Sequence, residues 1–188
     1  EPMATYRIAV LPGDGVGQEV TPEAMRVLQA VGKGTGVHFE FEQALCGGAA
    51  IDATGQPLPP ATLKLCQGAH AILFGAVGGP KWDHSPQEQR PERGLLALRK
   101  ELDLFASIRP VQSLPGVKVP YEDVDLVVVR ENTEGLYAGM EHFVVPGVVE
   151  SLRLITRPAC DRIVRYAFEL ARIKGRRRHL HAGKQLAR

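Results

Sequence analysis

The feature that most constrains this chain is the order of its first elements. Tyr6 to Leu11 is a short β-prone run stopped by Pro12-Gly13-Asp14-Gly15, and Thr21 to Val31 then carries Ala24, Val27, Leu28 and Val31 at helical spacing. Val37, Phe39 and Phe41 next alternate with His38, Glu40 and Glu42, which predicts a half-exposed strand. After a Gly- and Pro-rich connection, Leu63 to Gln67 predicts a short helix, and Ala71-Ile72-Leu73-Phe74 a fully apolar strand closed by Gly75. Strands separated by helices bury both faces of a sheet, so the expected class is α/β with a largely parallel sheet.

Further along, a loop through GAVGGPKWDHSPQEQRPE leads to a helix expected from about Glu92 to Leu104, and Ala106 to Pro110 reads as a short extended piece. Val124 to Val129 is the most strand-like run. EHFVVPGVVESLRLIT holds two β-branched runs around Pro146-Gly147 and predicts a hairpin-like arm. Thr156 is placed to cap a helix through RPACDRIVRYAFELARIK, with Ile163, Ala167 and Leu170 as one apolar stripe and Gly175 placed to end it.

Composition narrows the function classes. Among 188 residues, 44% apolar and 23% charged is the balance of a globular protein able to bury a core. The net charge of +2 comes from interspersed acids and bases, so there is no electrostatic footprint for nucleic acid or an anionic membrane. The short arginine run at 176 to 178 lacks interleaved aromatics and reads as a solvated helix end. Cys46, Cys66 and Cys160 lie far apart in apolar surroundings and are expected as buried, reduced thiols, and no Cys/His spacing suggests zinc. The start EPMATYRIAV has no signal-peptide pattern, and no apolar run approaches the roughly 18 residues of a membrane span, so the expected location is the cytoplasm.

Gly13-Asp14-Gly15-Val16-Gly17 tempts a dinucleotide reading, but Gln18 breaks the GxGxxG spacing, and taken alone the segment is a tight turn. The segment from Glu92 to Arg109 is more informative. On a helix Glu92, Leu95, Leu96 and Arg99 share one face. That face is either a core stripe with solvated ends or a pocket wall gripping a carboxylate through Arg99 while the leucines touch an apolar substituent. Arg109 is expected at a strand end and Arg130 as the end of the strand VDLVVVR, where guanidinium groups commonly clamp carboxylates, and three such arginines suggest a dicarboxylate. Arg130 to Tyr137 follows a buried strand directly, where open α/β sheets place ligand crevices, and Tyr137 is either a catalytic acid or an interfacial packing residue.

LPGDGVGQEV, FGAVGGPKWD, RPERGLLALRKELDLFASIRPV, VDLVVVRENTEGLYAG and VVPGVVESLRLIT together resemble, in order, the pattern of the isocitrate and isopropylmalate dehydrogenase family, over about Arg7 to Gly175. The resemblance implies a two-domain α/β fold without the usual dinucleotide fingerprint, incomplete in this chain. Residues 4–107 would be the N-terminal part of a first, cofactor-side domain. Residues 108–188 would be part of a second, with a dimer-clasping arm at about 138–155. It also implies oxidation of a 2-hydroxy-3-carboxy acid by NAD, with NADP left open, followed by loss of the β-carboxylate. Arg99, Arg109 and Arg130 would hold the substrate carboxylates, and Tyr137 would protonate the enolate carbon. Leu95 and Leu96 would meet the variable substituent. Glu92 would do so too while lying near the nicotinamide ribose, with Gly75, Ala76 and Val77 beside the cofactor. Lys184, at nearly the family's spacing from Tyr137, would assist deprotonation of the 2-hydroxyl, although its neighbours RRRHLHAGKQLAR depart from the family pattern.

The family's Mg²⁺ or Mn²⁺ requires several oxygen ligands, and the aspartates that supply them do not occur in this sequence. The expectation is therefore a fragment of a longer protein or a chain with a replaced end. Leu95 and Leu96 favour 3-isopropylmalate as substrate, whereas YAGMEHFVVPGVVES is closer to isocitrate-type sequences, so isocitrate, homoisocitrate and tartrate stay as alternatives. The rival of another class is a truncated, catalytically inactive subunit. The expected partners are a small dicarboxylate or tricarboxylate and a second copy of the protein.

Overall fold

The structure, a computed structural model, describes residues 4–175. These form two compact units that divide between Leu102 and Asp103.

In the first unit β1 (Ala4–Gly13) is the middle strand of a three-stranded parallel sheet, paired with β2 (Val37–Gln43) on one side and β3 (Ala71–Ala76) on the other. The apolar run Ile8 to Leu11 is buried, as the central strand of a layered sheet requires. Helix α1 (Gly17–Thr35) connects β1 to β2, and α2 (Gly48–Thr54) and α3 (Pro60–Gly68) connect β2 to β3. Ala9 and Leu11 lie two residues apart and so share a sheet face, and their core cluster includes Cys46, Cys66 of α3, and Leu98 of α4 (Pro91–Glu101).

The predicted elements appear with shifted limits. α1 is longer than the periodic segment because Gly36, at φ 69°, provides its left-handed C-cap. Of its expected stripe, Ala24 and Leu28 are partly buried while Val27 and Val31 are exposed. β3 is apolar as read but only partly buried, since it forms the edge of the described sheet. α4 stops at Glu101, three residues short of the predicted end, because Asp103 takes a left-handed φ of 47° and Leu104 and Phe105 turn their carbonyls to Asn132. Those bonds tie the chain from Asp103 onward to the second unit, ahead of the expected boundary at 107/108.

The second unit departs from the parallel expectation. β4 (Ala106–Gln112) pairs antiparallel with β5 (Asp125–Glu131), and β6 (Gly135–Val145) antiparallel with β7 (Val148–Leu154). The predicted arm is this second pair, turned at Pro146 and Gly147 with Gly147 at φ 81°. α5 (Arg157–Ile173) begins at the predicted cap, where the Ala159 N–H donates to Thr156 Oγ1 at 3.3 Å. Gly175, at φ 60°, follows its last turn.

Candidate functional site

The candidate residues fall into two sets, one in each unit. In the first unit the GDGVG turn closes on the protein itself. Asp14 is buried, and its carboxylate accepts N–H groups from Gly48 at 2.7 Å, Ala49 at 2.6 Å and Gly78 at 3.0 Å. It therefore caps the start of α2 with a side chain from a different loop, and at the same time fixes the loop after β3. Gly13 must be glycine twice over, since its φ is 74° and a Cβ there would collide with the Ala76 carbonyl. The tight-turn reading of this segment is correct, and the residue that makes it one, Asp14, went unsingled in the sequence because its partners lie 34 to 64 positions away.

Gly75 and Ala76 end β3 and Val77 follows it, all partly buried. The Ala76 carbonyl accepts the Asp14 N–H at 2.6 Å, and Val77 packs against the core cluster. The other end of this loop is fixed by Trp82, which leaves no room for a side chain at Gly48, and by Lys81, whose Nζ lies 2.6 Å from Asp52 Oδ2. Glu92 reaches the same loop: a Cβ on Gly78 would lie 2.6 Å from its Oε1. A small cavity of about 120 Å³ opens beside it, lined by Gly79, Trp82, Asp83, Arg90, Pro91 and Glu92. The loop and Glu92, separate in sequence, are thus one place in space.

The core-stripe reading of α4 belongs to other residues than those proposed. Pro91, Gly94 and Leu98 enter the core, with Gly94 so close to the Pro57 carbonyl that a Cβ there would come within 2.5 Å. Leu95, Leu96 and Arg99 occupy the neighbouring face and are only partly buried, while Glu92 is exposed.

In the second unit the strand register decides the arrangement. Arg109 lies opposite Val128 and Ser107 opposite Arg130, so all four side chains project from one face of the β4–β5 pair. Arg109 is the fourth residue of seven in β4 and Arg130 the sixth of seven in β5, so neither is the strand terminus expected of it. β4 continues through Pro110 because among the described residues it pairs on one side only, the setting in which a strand tolerates proline. Arg109 Nε donates to Ser107 Oγ at 3.2 Å, a contact that no local sequence pattern signals. The Arg130 guanidinium carbon sits 5.1 Å from the centre of the Tyr137 ring, so the two side chains are in contact.

The turn joining Arg130 to Tyr137 is densely bonded. The Glu131 carboxylate accepts from the Thr133 hydroxyl at 2.6 Å and from the Thr133 and Glu134 N–H groups. Burial pushes this carboxyl up, but those hydrogen bonds outweigh it and hold it below the ordinary range. Glu134 accepts from Thr156 N–H at 2.8 Å and Oγ1 at 2.6 Å, which anchors the base of the arm to the start of α5. The arm beyond it is exposed, Phe143 at 78%.

Among the described residues no three His, Cys, Asp or Glu side chains converge in a manner that could hold a metal ion. These residues do not fit a metal centre. No described helix is long and apolar enough to cross a membrane. Cys46 and Cys66 are buried as expected, whereas Cys160 is only partly so because it sits on the first turn of α5. Lys184 lies outside the described residues.

Comparison with known proteins agrees with this fold. The family model described as isocitrate/isopropylmalate dehydrogenase matches residues 7–185. The 3-isopropylmalate dehydrogenase of Bacillus caldotenax is 51% identical over 94% of this chain and 50% of its own length, and that of Aquifex aeolicus is 46% identical over 90% and 50%. Among solved structures, isocitrate dehydrogenase from Methylococcus capsulatus superposes with a TM-score of 0.73 at 37% identity, covering 91% of this chain and 49% of that one. The TT0538 protein of Thermus thermophilus gives 0.78 at 35% identity, covering 90% and 33%. The chain spans about half the length of the curated relatives it matches. On this match and this fold, the chain belongs to the isocitrate/isopropylmalate dehydrogenase family.

Proposed function

We propose that this chain serves the oxidation and decarboxylation of 3-isopropylmalate with NAD, in a homodimer that requires Mg²⁺ or Mn²⁺. The observation that carries the reading is the α4 face. Its core stripe is supplied by Pro91, Gly94 and Leu98, which leaves Leu95 and Leu96 beside Arg99 with apolar surface to offer a branched substituent. Identity near 50% to enzymes named 3-isopropylmalate dehydrogenase supports the same substrate.

In this reading Arg99, Arg109 and Arg130 bind the substrate's carboxylates, where planar guanidinium groups supply paired donors. Arg109 donates through Nε to Ser107 Oγ, so its terminal nitrogens are the ones read as donors to the carboxylate. Glu92 accepts from the nicotinamide ribose, with Gly75, Ala76 and Val77 as the floor beside it. The bound nicotinamide supplies the hydride acceptor. Tyr137 gives its hydroxyl proton to the substrate carbon that loses the carboxylate, and Arg130, stacked on its ring, holds it in place. Lys184 is the proposed aid to deprotonation of the 2-hydroxyl. Residues 4–107 and 108–188 are read as parts of the cofactor-side and second domains, and the metal ligands are assigned outside the described residues. The exposed arm is read as the clasp on a second subunit, and the cytoplasm as the location.

Steady-state assays of the native-length protein on 3-isopropylmalate and isocitrate, with NAD or NADP and with either ion, test this. The expected result is a higher kcat/KM for 3-isopropylmalate with NAD. Preference for isocitrate, which the likeness to the Methylococcus enzyme and the sequence of the arm would favour, overturns the substrate assignment. Absence of turnover under every condition returns the inactive-subunit reading.

A further inference from the structure

Arg130 and Tyr137 belong to strands of different sheets. β5 pairs with β4 and β6 with β7, and no ladder joins β5 to β6. Their contact therefore depends on the turn between them, Asn132 to Glu134, and on whatever holds that turn. Asn132 fastens one side to the chain entering β4, through Nδ2 to the Leu104 carbonyl at 3.2 Å and N–H to the Phe105 carbonyl at 2.9 Å. Glu134 fastens the other to Thr156. The middle residue, Thr133, is reached from outside the turn by Arg162 on the second turn of α5.

Arg162 is used in a way that only arginine permits. Its Nη1 donates to both Asp103 carboxylate oxygens at 2.8 and 3.0 Å, its Nη2 donates to Thr133 Oγ1 at 2.9 Å, and its guanidinium carbon lies 4.7 Å from the centre of the Phe105 ring. One rigid plane thus spans two acceptors from distant parts of the chain while stacked on a third residue. Phe105 is itself held edge-on by Tyr166, one turn further along α5. Arg162 Nε is buried without a partner, so the side chain's pose is set by its two far nitrogens and the stack, not by satisfaction of the whole group. Thr133 passes the constraint inward, because the hydroxyl that accepts from Arg162 donates to Glu131, the residue next to Arg130.

We propose that Arg162 is a positioning residue that acts through Thr133 to hold Arg130 stacked on Tyr137. The inference rests on the functional reading above only for its catalytic consequence, because the stack itself is a structural fact that can be observed without turnover.

The test is made in the native-length protein with Arg162→Lys and, in case that variant folds poorly, Thr133→Val. The second leaves Arg162 on Asp103 and Phe105 and removes the hydroxyl that links it to Glu131, both the acceptor for Arg162 and the donor to Glu131. The Arg130 Nε–H resonance, assigned with Tyr137→Leu as the reference lacking an aromatic ring, reports the stack through the ring current of Tyr137. Both variants are expected to move this resonance toward its position in Tyr137→Leu while the circular dichroism spectrum stays that of the parent. kcat should fall by roughly 10- to 100-fold, as misplacement by about an ångström does. A resonance unmoved in both folded variants overturns the proposal. A moved resonance with unchanged kcat supports the positioning role and counts instead against a catalytic role for the Arg130 and Tyr137 pair.

Discussion

The guanidinium of Arg130 lies over the ring of Tyr137, 5.1 Å from its centre. This contact separates two things a tyrosine can do at such a place: the ring holds the arginine, and the hydroxyl can give a proton. Phenylalanine keeps the first and removes the second.

Tyr137→Phe in the native-length protein is therefore expected to slow decarboxylation or the final protonation by roughly 10²- to 10⁴-fold, the contribution of a positioned general acid. KM for the hydroxy acid should change little, because a cation over an aromatic face does not need the hydroxyl. Pre-steady-state measurement of reduced cofactor alongside carbon dioxide checks this. Both steps at parental rates in the variant would remove Tyr137 from the chemistry.

Arg109→Lys keeps the charge but loses the planar group that bonds Ser107 Oγ and that the proposed function assigns to a substrate carboxylate. A decrease in kcat/KM of about 10- to 100-fold is expected, the value of one hydrogen bond to a charged group. Because Arg109 is exposed in β4, the melting temperature should stay near that of the parent. Parental kcat/KM would make Arg109 a strand residue and nothing more.

Asp14→Ala removes one acceptor from three backbone N–H groups at once. An unpaired buried donor costs about 1 to 3 kcal/mol, and the Gly48 and Ala49 bonds are themselves the cap of α2, so a destabilisation of about 3 kcal/mol is expected. Asp14→Asn should recover part of it, since its oxygen in the place of Oδ2 keeps the Gly48 and Gly78 bonds while its amide nitrogen faces the Ala49 N–H. Denaturant unfolding reads the difference, and a change under about 1 kcal/mol for the alanine variant would mean that water replaces the carboxylate.

Glu131 gives a pH dependence of definite sign. Its folded carboxyl titrates below the unfolded value, so between the two the unfolded chain binds more protons and stability rises with pH. The contribution is complete above about pH 4.3 and is lost as pH falls through the folded value. Thr133→Val deletes the strongest of the bonds responsible, and should flatten the acid limb of stability against pH measured by thermal unfolding. An acid limb identical to the parent's would show that these bonds do not govern titration.

Burial pushes the Cys46 thiol up to about 11, with Cys66 raised for the same reason. Native alkylation at pH 8 should therefore label Cys160 first and leave Cys46 and Cys66 intact until the chain unfolds. Stability from the buried thiols is complete below the unfolded value near 9 and is lost as pH rises through the folded one. Peptide mapping by mass spectrometry after a timed reaction checks the order, and early labelling of Cys46 would contradict its burial.

Local chemistry alone determined much of this protein. The apolar run before Gly13, the Thr156 cap, the Pro146-Gly147 turn and the helical spacing on α4 each act over a few residues, and each element formed where those residues direct it. The pairing of candidates did not follow from spacing. That Arg109 and Arg130 share a face depends on which residue of β4 meets which of β5, and antiparallel register is set by the whole ladder, not by either strand. The helix end at Glu101 is not legible locally, because a left-handed Asp103 is held by Arg162, 59 residues away. Asp14 and Arg162 were invisible for the same reason. A carboxylate or guanidinium in sequence shows only its charge, whereas its acceptors and donors are chosen by tertiary folding, which brings together groups that no local pattern connects.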